Sequence, residues 1–196
     1  MQSLFPMAVF ALASSWPPGP NNIMLTASGV NFGFTRSVPH IAGVIVGYGM
    51  VLLAAGSGLG VLFQTYPGIQ LALKIVGAAY MIWLAWKVAN ARPAQSGGAQ
   101  RPEPLSFLQA AAFQWVNPKG VVTALSAAAI FVRPSTVALD LSVMVPIFLG
   151  ATFVSVLFWT GFGSLLSDAL QNPLYARIFN VTMAILIVAS IAPMVL

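Results

Sequence analysis

Six long apolar runs most constrain how this chain folds. They cover about residues 4–27, 38–62, 68–91, 105–131, 140–166 and 174–195. A transmembrane helix needs roughly 20 mostly apolar residues, whereas a membrane-barrel strand has roughly 9–11 residues of alternating polarity. Backbone groups in lipid must be hydrogen-bonded within the segment, and runs of this length achieve that as helices. We therefore expect an all-α integral membrane protein with about six transmembrane helices.

The composition supports this expectation and excludes several functions. Only 6% of the 196 residues are charged, against roughly 25% in a soluble domain. The net charge is +5, but the basic residues are isolated at the ends of apolar runs, so we expect no nucleic-acid partner. The chain has no cysteine, which excludes disulfides and thiolate-bound metals. Motifs of metalloproteases, nucleotide-binding loops and serine hydrolases are also absent, so we expect no enzyme activity, no cofactor and no metal.

The runs fall into two groups of three, separated by a polar segment. We expect a first repeat at residues 1–91, a flexible cytoplasmic linker at 92–104 (RPAQSGGAQRPEP) and a second repeat at 105–196. Since each group crosses the membrane three times, the second group starts from the opposite side. The expected architecture is two inverted three-helix repeats with broken first and fourth helices.

The positive residues predict the orientation. Those that flank the first, third and fifth runs are Arg36, Lys87, Arg92, Arg101 and Arg177, whereas the opposite side carries Arg133 and Lys74. The richer side faces the cytoplasm under the positive-inside rule. We therefore expect a multi-pass protein of the bacterial inner membrane with both termini outside the cytoplasm. The first run is kept as a mature helix, because prolines interrupt it before any signal-peptide cleavage site.

Two clusters of helix-breaking residues lie well inside apolar runs. The first break is residues 16–22 (WPPGPNN), and the second break is residues 117–120 (NPKG). Proline removes a backbone donor, so the freed carbonyls need partners such as a ligand, an ion or water. Broken helices at corresponding positions of two inverted halves indicate a transporter's binding site. We expect substrate binding or gating at Pro18, Gly19, Pro20, Asn21 and Asn22; the alternative is a kink whose asparagines join neighbouring helices.

Lys119 is the most unusual residue of the second break. A lysine near the centre of a membrane helix costs roughly 2.5–3.5 kcal/mol on insertion scales. All three acidic residues of the chain fall in loops or at helix ends. The missing anion is then the carboxylate of a substrate, or else the lysine reaches an interface or bonds free carbonyls. Gln114, Asn117 and Pro118 are close enough along the helix to line the same cavity.

Three further residues are candidates. Tyr48 and Tyr80 lie deep enough in their runs to reach a cavity. His40 is a candidate proton carrier, because its charge changes near neutral pH. The alternative places His40 at the level of the lipid headgroups.

Several short patterns together resemble the LysE/RhtB amino-acid exporter superfamily. They are residues 18–22 (PGPNN) with Gly29 and Gly33, residues 77–80 (GAAY), residues 83–87 (WLAWK), and residues 117–119 (NPK). The pattern in the third run is most similar to the cysteine and O-acetylserine exporter branch. The resemblance implies proton-driven efflux of amino acids or their derivatives through six helices in two inverted repeats. Many members carry an acid where this chain has Tyr48, which leaves His40, Lys119 or the substrate to carry the proton.

We therefore expect a secondary exporter of a small amino acid, with the proton as coupling ion and lipid as its surroundings. A passive channel or a non-transporting membrane subunit is the alternative. A homodimer is compatible with so small a bundle.

Overall fold

The computed structural model describes residues 4–91 and 103–192, and these form helices and connecting turns without any β-strand. A 3₁₀ turn at Thr35–Ser37 precedes the third helix, and a π-helical turn at Ala55–Leu59 separates the third helix from the fourth. The expected all-α class is confirmed. Most of the expected linker, residues 92–102, lies outside the described residues. The helices are α1 Leu4–Ser15, α2 Pro20–Phe32, α3 Val38–Ala54, α4 Gly60–Thr65, α5 Pro67–Ala89, α6 Phe107–Val116, α7 Pro118–Phe131, α8 Val137–Leu166 and α9 Pro173–Ala189.

The outside of the helical bundle is apolar and its inside is partly polar. Leu165 is 83% exposed and Phe5 is 77% exposed, whereas Gln114 and Asn180 are buried. Water would oppose this arrangement, and lipid favours it. The chain is therefore an integral membrane protein. The helical stretches Thr35–Thr65, Pro67–Ala89 and Val137–Leu166 are each long and apolar enough to cross a membrane, and α1, α7 and α9 are shorter apolar helices.

Both predicted breaks interrupt a helix. The first lies between α1 and α2, and the second lies between α6 and α7. Pro20 and Pro118 each occupy the first turn of the helix that follows, where the absent proline N–H has no helical partner to lose. The residues before them are extended, with φ −161° and ψ 177° at Gly19 and φ −75° and ψ 107° at Asn117. The first apolar run also continues past its expected end, since α2 reaches Phe32.

Each half of the chain packs mainly on the other half. Helices α1 and α2 lie on α8, α6 lies on α3, and α5 lies on α9. The α2–α8 crossing is close because each helix presents a glycine to the backbone of the other. Gly29 lies against the backbone of Thr160, and Gly163 lies against the backbone of Thr26, so a side chain at either glycine would collide with a carbonyl oxygen.

The second apolar run differs from the expected single helix. Gly58 has φ +113°, inside the π-helical turn between α3 and α4, and a residue with a side chain rarely adopts that angle. The turn therefore redirects the last part of the run.

Earlier in the same run, Gly43 and Gly47 lie directly against Phe107 and Ala111 of α6, as the GxxxG spacing predicts for close helix packing.

Candidate functional site

Side chains satisfy the backbone carbonyls that the first break frees. The carbonyl of Ser15 accepts hydrogen bonds from Asn22 Nδ2 at 3.0 Å and from Ser155 Oγ at 2.8 Å. The carbonyl of Pro17 accepts a second bond from Asn22 Nδ2 at 3.1 Å. Asn22 is buried, so these bonds hold the end of α1 near the start of α2 without helical backbone between them. Asn22 therefore fixes the shape of the first break.

Two hydrogen bonds connect the first break with α6 and α7. Lys119 Nζ donates to the carbonyl of Pro17 at 2.7 Å. Gln114 Nε2 donates to Asn21 Oδ1 at 3.2 Å and also to the carbonyl of Ala110 within its own helix. The lysine thus bonds a freed carbonyl, but one that belongs to the other broken helix. The two breaks face each other across the bundle.

A cavity of about 470 Å³, measured to its open mouth, lies between the two breaks. Helices from both halves form its wall, and most of the residues predicted for the site line it. The lining residues are Ser14, Ser15, Gly19, Pro20, Asn21, Asn22, Val44, Tyr48, Gln114, Asn117, Lys119, Gly120, Thr123, Thr152, Ser155 and Val156. We call this space the central cavity.

Two helix N-termini open onto the central cavity. Helix α2 begins after Gly19 and α7 begins after Asn117, and neither start has a side-chain cap. The first N–H groups of a helix have no partner within it, and the helix dipole makes this end positive. Lys119 lies in the first turn of α7 and adds its positive charge. The central cavity therefore has the electrostatic character of an anion site.

No carboxylate opposes this positive charge. All three acidic residues of the chain lie in its described part, and none of them lines the central cavity. Asp140 is paired with Arg133 at 2.7 Å near the start of α8. Hydrogen bonding to this carboxylate raises the pKa of the Arg133 guanidinium above its usual range. Lys119 is thus left without an ionic partner among the described residues.

The central cavity also offers oxygen atoms as acceptors. Asn117 is buried, and its Oδ1 has no hydrogen-bond partner within the described part of the chain. A buried polar atom is normally paired, so this oxygen indicates a missing donor. Hydroxyl groups of Tyr48, Thr123 and Thr152 lie on the same wall. Sequence reasoning missed the threonines, because a single hydroxyl in an apolar helix gives no local signal.

Three of the residues predicted for substrate binding or gating do not line the central cavity. Pro18 and Pro118 shape the breaks but are not part of the wall. The expectation that Tyr80 reaches the cavity is wrong. Its hydroxyl donates to the carbonyl of Gln109 at 3.2 Å, and its ring packs on Phe113. The rotation of α5 about its axis decides this, and one sequence does not give that rotation.

One known protein family matches almost the whole chain. The LysE type translocator family matches residues 12–192 of this chain.

This chain belongs to the LysE type translocator family.

Relatives with a curated description are similar over almost the whole length. The cysteine/O-acetylserine efflux protein of Salmonella choleraesuis (strain SC-B67) is 35% identical over 181 residues, covering 91% of this chain and 90% of the relative. The protein of the same name in Salmonella typhimurium has the same identity and coverage. The one in Escherichia coli (strain K12) is 35% identical over 182 residues, again covering 91% and 90%. No solved structure matches the chain.

Membership of the LysE type translocator family decides whether this protein is a transporter or an enzyme. The chain is a membrane translocator and not an enzyme, and the resemblance found in its short patterns is confirmed. No cluster of three metal-binding side chains occurs among residues 4–91 and 103–192 of this translocator. The groups that the central cavity offers to a solute are a cation, helix N-termini, amides and hydroxyls.

His40 lies apart from the central cavity of this LysE-family translocator. It is 1% exposed, in the first turns of α3, so protein and not lipid surrounds its side chain. Neither ring nitrogen has a hydrogen-bond partner among the described residues. His40 lines a second cavity, which α2, α3, α5 and residues 103–105 enclose.

Proposed function

We propose that this protein is a secondary active exporter that moves small amino acids or their derivatives out of the cytoplasm. The observation that carries the proposal is the meeting of two uncapped helix N-termini and Lys119 at one cavity without an acidic residue. Such a site suits a carboxylate. The relatives described as cysteine/O-acetylserine efflux proteins support an amino acid as the solute.

The carboxylate of the substrate binds between Lys119 and the first turns of α2 and α7. Its ammonium group needs acceptors, which the Asn117 Oδ1 atom and the Tyr48 hydroxyl provide on the same wall.

The Lys119 ammonium group exchanges partners when a carboxylate binds. It donates at 2.7 Å to the carbonyl of Pro17, and a carboxylate is the stronger acceptor for a charged donor. Binding thus weakens a contact that holds the two breaks together. This exchange connects occupancy of the central cavity to the relative position of the two halves.

We also propose that the six apolar segments cross the inner membrane as two inverted three-helix repeats with both termini outside. The packing supports a two-fold relation, because the broken helix of each half lies on the second helix of the other half, α8 or α3. The third helices, α5 and α9, lie on each other. A pseudo-two-fold axis in the membrane plane generates this exchange of partners.

Proton entry is the driving force that we propose for efflux. Export against a gradient needs a coupled ion, and the deep titratable groups include His40 and Lys119. Neither is paired with a carboxylate. Both are therefore candidates to carry the proton.

Export of labelled amino acids from cells that overproduce the chain tests the proposal. Cysteine, O-acetylserine, threonine, homoserine, leucine and lysine are loaded, and release is followed with and without a protonophore. Saturable release of one of them, slowed by the protonophore, is the expected result. Release that does not saturate and is insensitive to the protonophore would indicate a passive channel, and no release from inserted protein would refute export of these solutes.

A further inference from the structure

The second cavity lies at the end of the bundle that carries most of the positive loop residues. It has a volume of about 950 Å³, measured to its open mouth. The end of α2, the start of α3, the end of α5 and the residues before α6 enclose it. We call it the vestibule; its polar wall includes Ser28, Asn31, His40, Lys87 and Glu103.

The buried polar groups of the vestibule are paired, with one exception. Asn31 and Asn180 exchange two hydrogen bonds at 2.9 and 3.1 Å, and Ser28 bonds Ser37 at 2.7 Å. The imidazole of His40 is just as buried but has no partner for either nitrogen within the described residues. Since buried polar groups are normally satisfied, this ring indicates a ligand or water in the vestibule.

Two opposite charges lie on the same wall. The ammonium of Lys87 lies 4.9 Å from the centre of the Trp83 ring, and it forms no ion pair with a described residue. Glu103 is exposed and likewise forms no ion pair with a described residue. Together with an imidazole that offers one donor and one acceptor, these charges match the carboxylate and ammonium groups of an amino acid.

The vestibule and the central cavity lie along the same face of α3. His40 lines the vestibule, whereas Val44 and Tyr48, one and two turns further along the same face of α3, line the central cavity. The rise of an α-helix makes His40 and Tyr48 about 12 Å apart along the axis. Val44 is 1% exposed and packs in one apolar cluster with Met24, so an apolar partition separates the two cavities.

We propose that the vestibule is a second substrate site, where a zwitterionic amino acid contacts His40, Lys87 and Glu103 before it reaches the central cavity. This inference rests on the proposed function, because the ligand is the exported solute. It assigns His40 a contact with substrate, and this contact is independent of whether the same ring carries the coupling proton.

A cysteine reporter tests the vestibule, and the natural chain contributes no background because it contains no cysteine. Ala91→Cys places a thiol on the vestibule wall, and Ser126→Cys places one in a different groove as a control. The full chain in lipid nanodiscs is labelled with N-ethylmaleimide at slightly acidic pH, with and without O-acetylserine. Cysteine is unsuitable as the probe because it reacts with the maleimide. If the export assay identifies another of the screened amino acids as the substrate, that amino acid replaces O-acetylserine as the probe. Propionamide is the uncharged control ligand.

O-acetylserine should slow labelling at position 91 and leave position 126 unchanged. With His40→Phe, about ten times more O-acetylserine should be needed for the same protection. This is the change expected for the loss of one buried hydrogen-bonding contact. His40→Gln, which keeps a donor and an acceptor, should retain most of it, and Lys119→Met should leave it intact. If His40→Phe does not fold, Lys87→Met replaces it with the same expected loss.

Absence of protection, or protection that survives both His40→Phe and Lys87→Met, overturns the vestibule site. So does protection that disappears with Lys119→Met, because the reporter would then be sensing the central cavity. The export assay separates this failure from failure of the proposed function. Export that persists without protection at position 91 refutes the vestibule alone, whereas absence of export of every screened amino acid refutes the proposed function.

Discussion

Replacement of Lys119 should weaken export far more than it weakens the fold. Lys119→Met removes the positive charge from the central cavity, where no described carboxylate opposes it. A hydrogen bond to a charged group contributes roughly 1.5–3 kcal/mol, and about 1.4 kcal/mol corresponds to a factor of ten in affinity. We therefore expect the apparent KM for export to rise about 10- to 100-fold. Initial rates of release at several internal substrate concentrations measure it.

Two further substitutions separate the charge from the structural hydrogen bond. Lys119 also donates to the carbonyl of Pro17 at 2.7 Å. This bond is exposed, so solvent weakens it and its loss should reduce the free energy of unfolding by only about 0.5–1.5 kcal/mol. Lys119→Gln keeps a donor near that carbonyl but carries no charge. Relative to Lys119→Met, it should therefore recover thermal stability but not export. Lys119→Arg keeps the charge and should retain part of the activity. An unchanged KM in correctly inserted Lys119→Gln would refute the role of the charge.

Four other substitutions test the arrangement around the central cavity, the packing of α2 on α8 and the membrane topology. Gly19→Val should cost little stability, because Gly19 has an ordinary extended backbone. It should impair export, because a new Cβ would lie only 2.9 Å from Lys119 Cδ. Transport and melting temperature are compared in one preparation. Gly163→Val should prevent folding, because its side chain would meet the α2 backbone; a monodisperse peak in detergent would contradict this. In the cysteine-free chain, an impermeant maleimide applied to intact cells should label Ser135→Cys and spare Ala169→Cys; the reverse pattern would invert the proposed topology.

The sequence predicted the broken helices well because their cause is local. Three prolines within residues 17–20 cannot continue a regular helix, whatever surrounds them. The residues around such a break are also the polar ones in an apolar run, so the residues that meet at the central cavity could be named in advance. Asn21 and Gln114 are 93 positions apart in the chain and are hydrogen-bonded in the structure.

The remaining features depend on how the helices pack, which local patterns do not specify. The carbonyl that accepts from Lys119 belongs to Pro17 on the other broken helix, so no local motif indicates the pair. Tyr80 and Tyr48 lie at similar depths in their runs, yet only Tyr48 faces the central cavity. The π-helical turn near Gly58 follows a glycine-rich run that is also typical of an uninterrupted packing helix.

The bonds across the central cavity bear on how a carrier differs from a channel. Lys119 to Pro17 and Gln114 to Asn21 both join the second half of the chain to the first break. Each such bond contributes on the order of 0.5–3 kcal/mol, and two conformations of a protein commonly differ by only a few kcal/mol. A carboxylate that takes the lysine from its carbonyl therefore changes the balance by a comparable amount. A pore that stays open needs no such exchange, so alternating access is the mechanism that we propose for this protein.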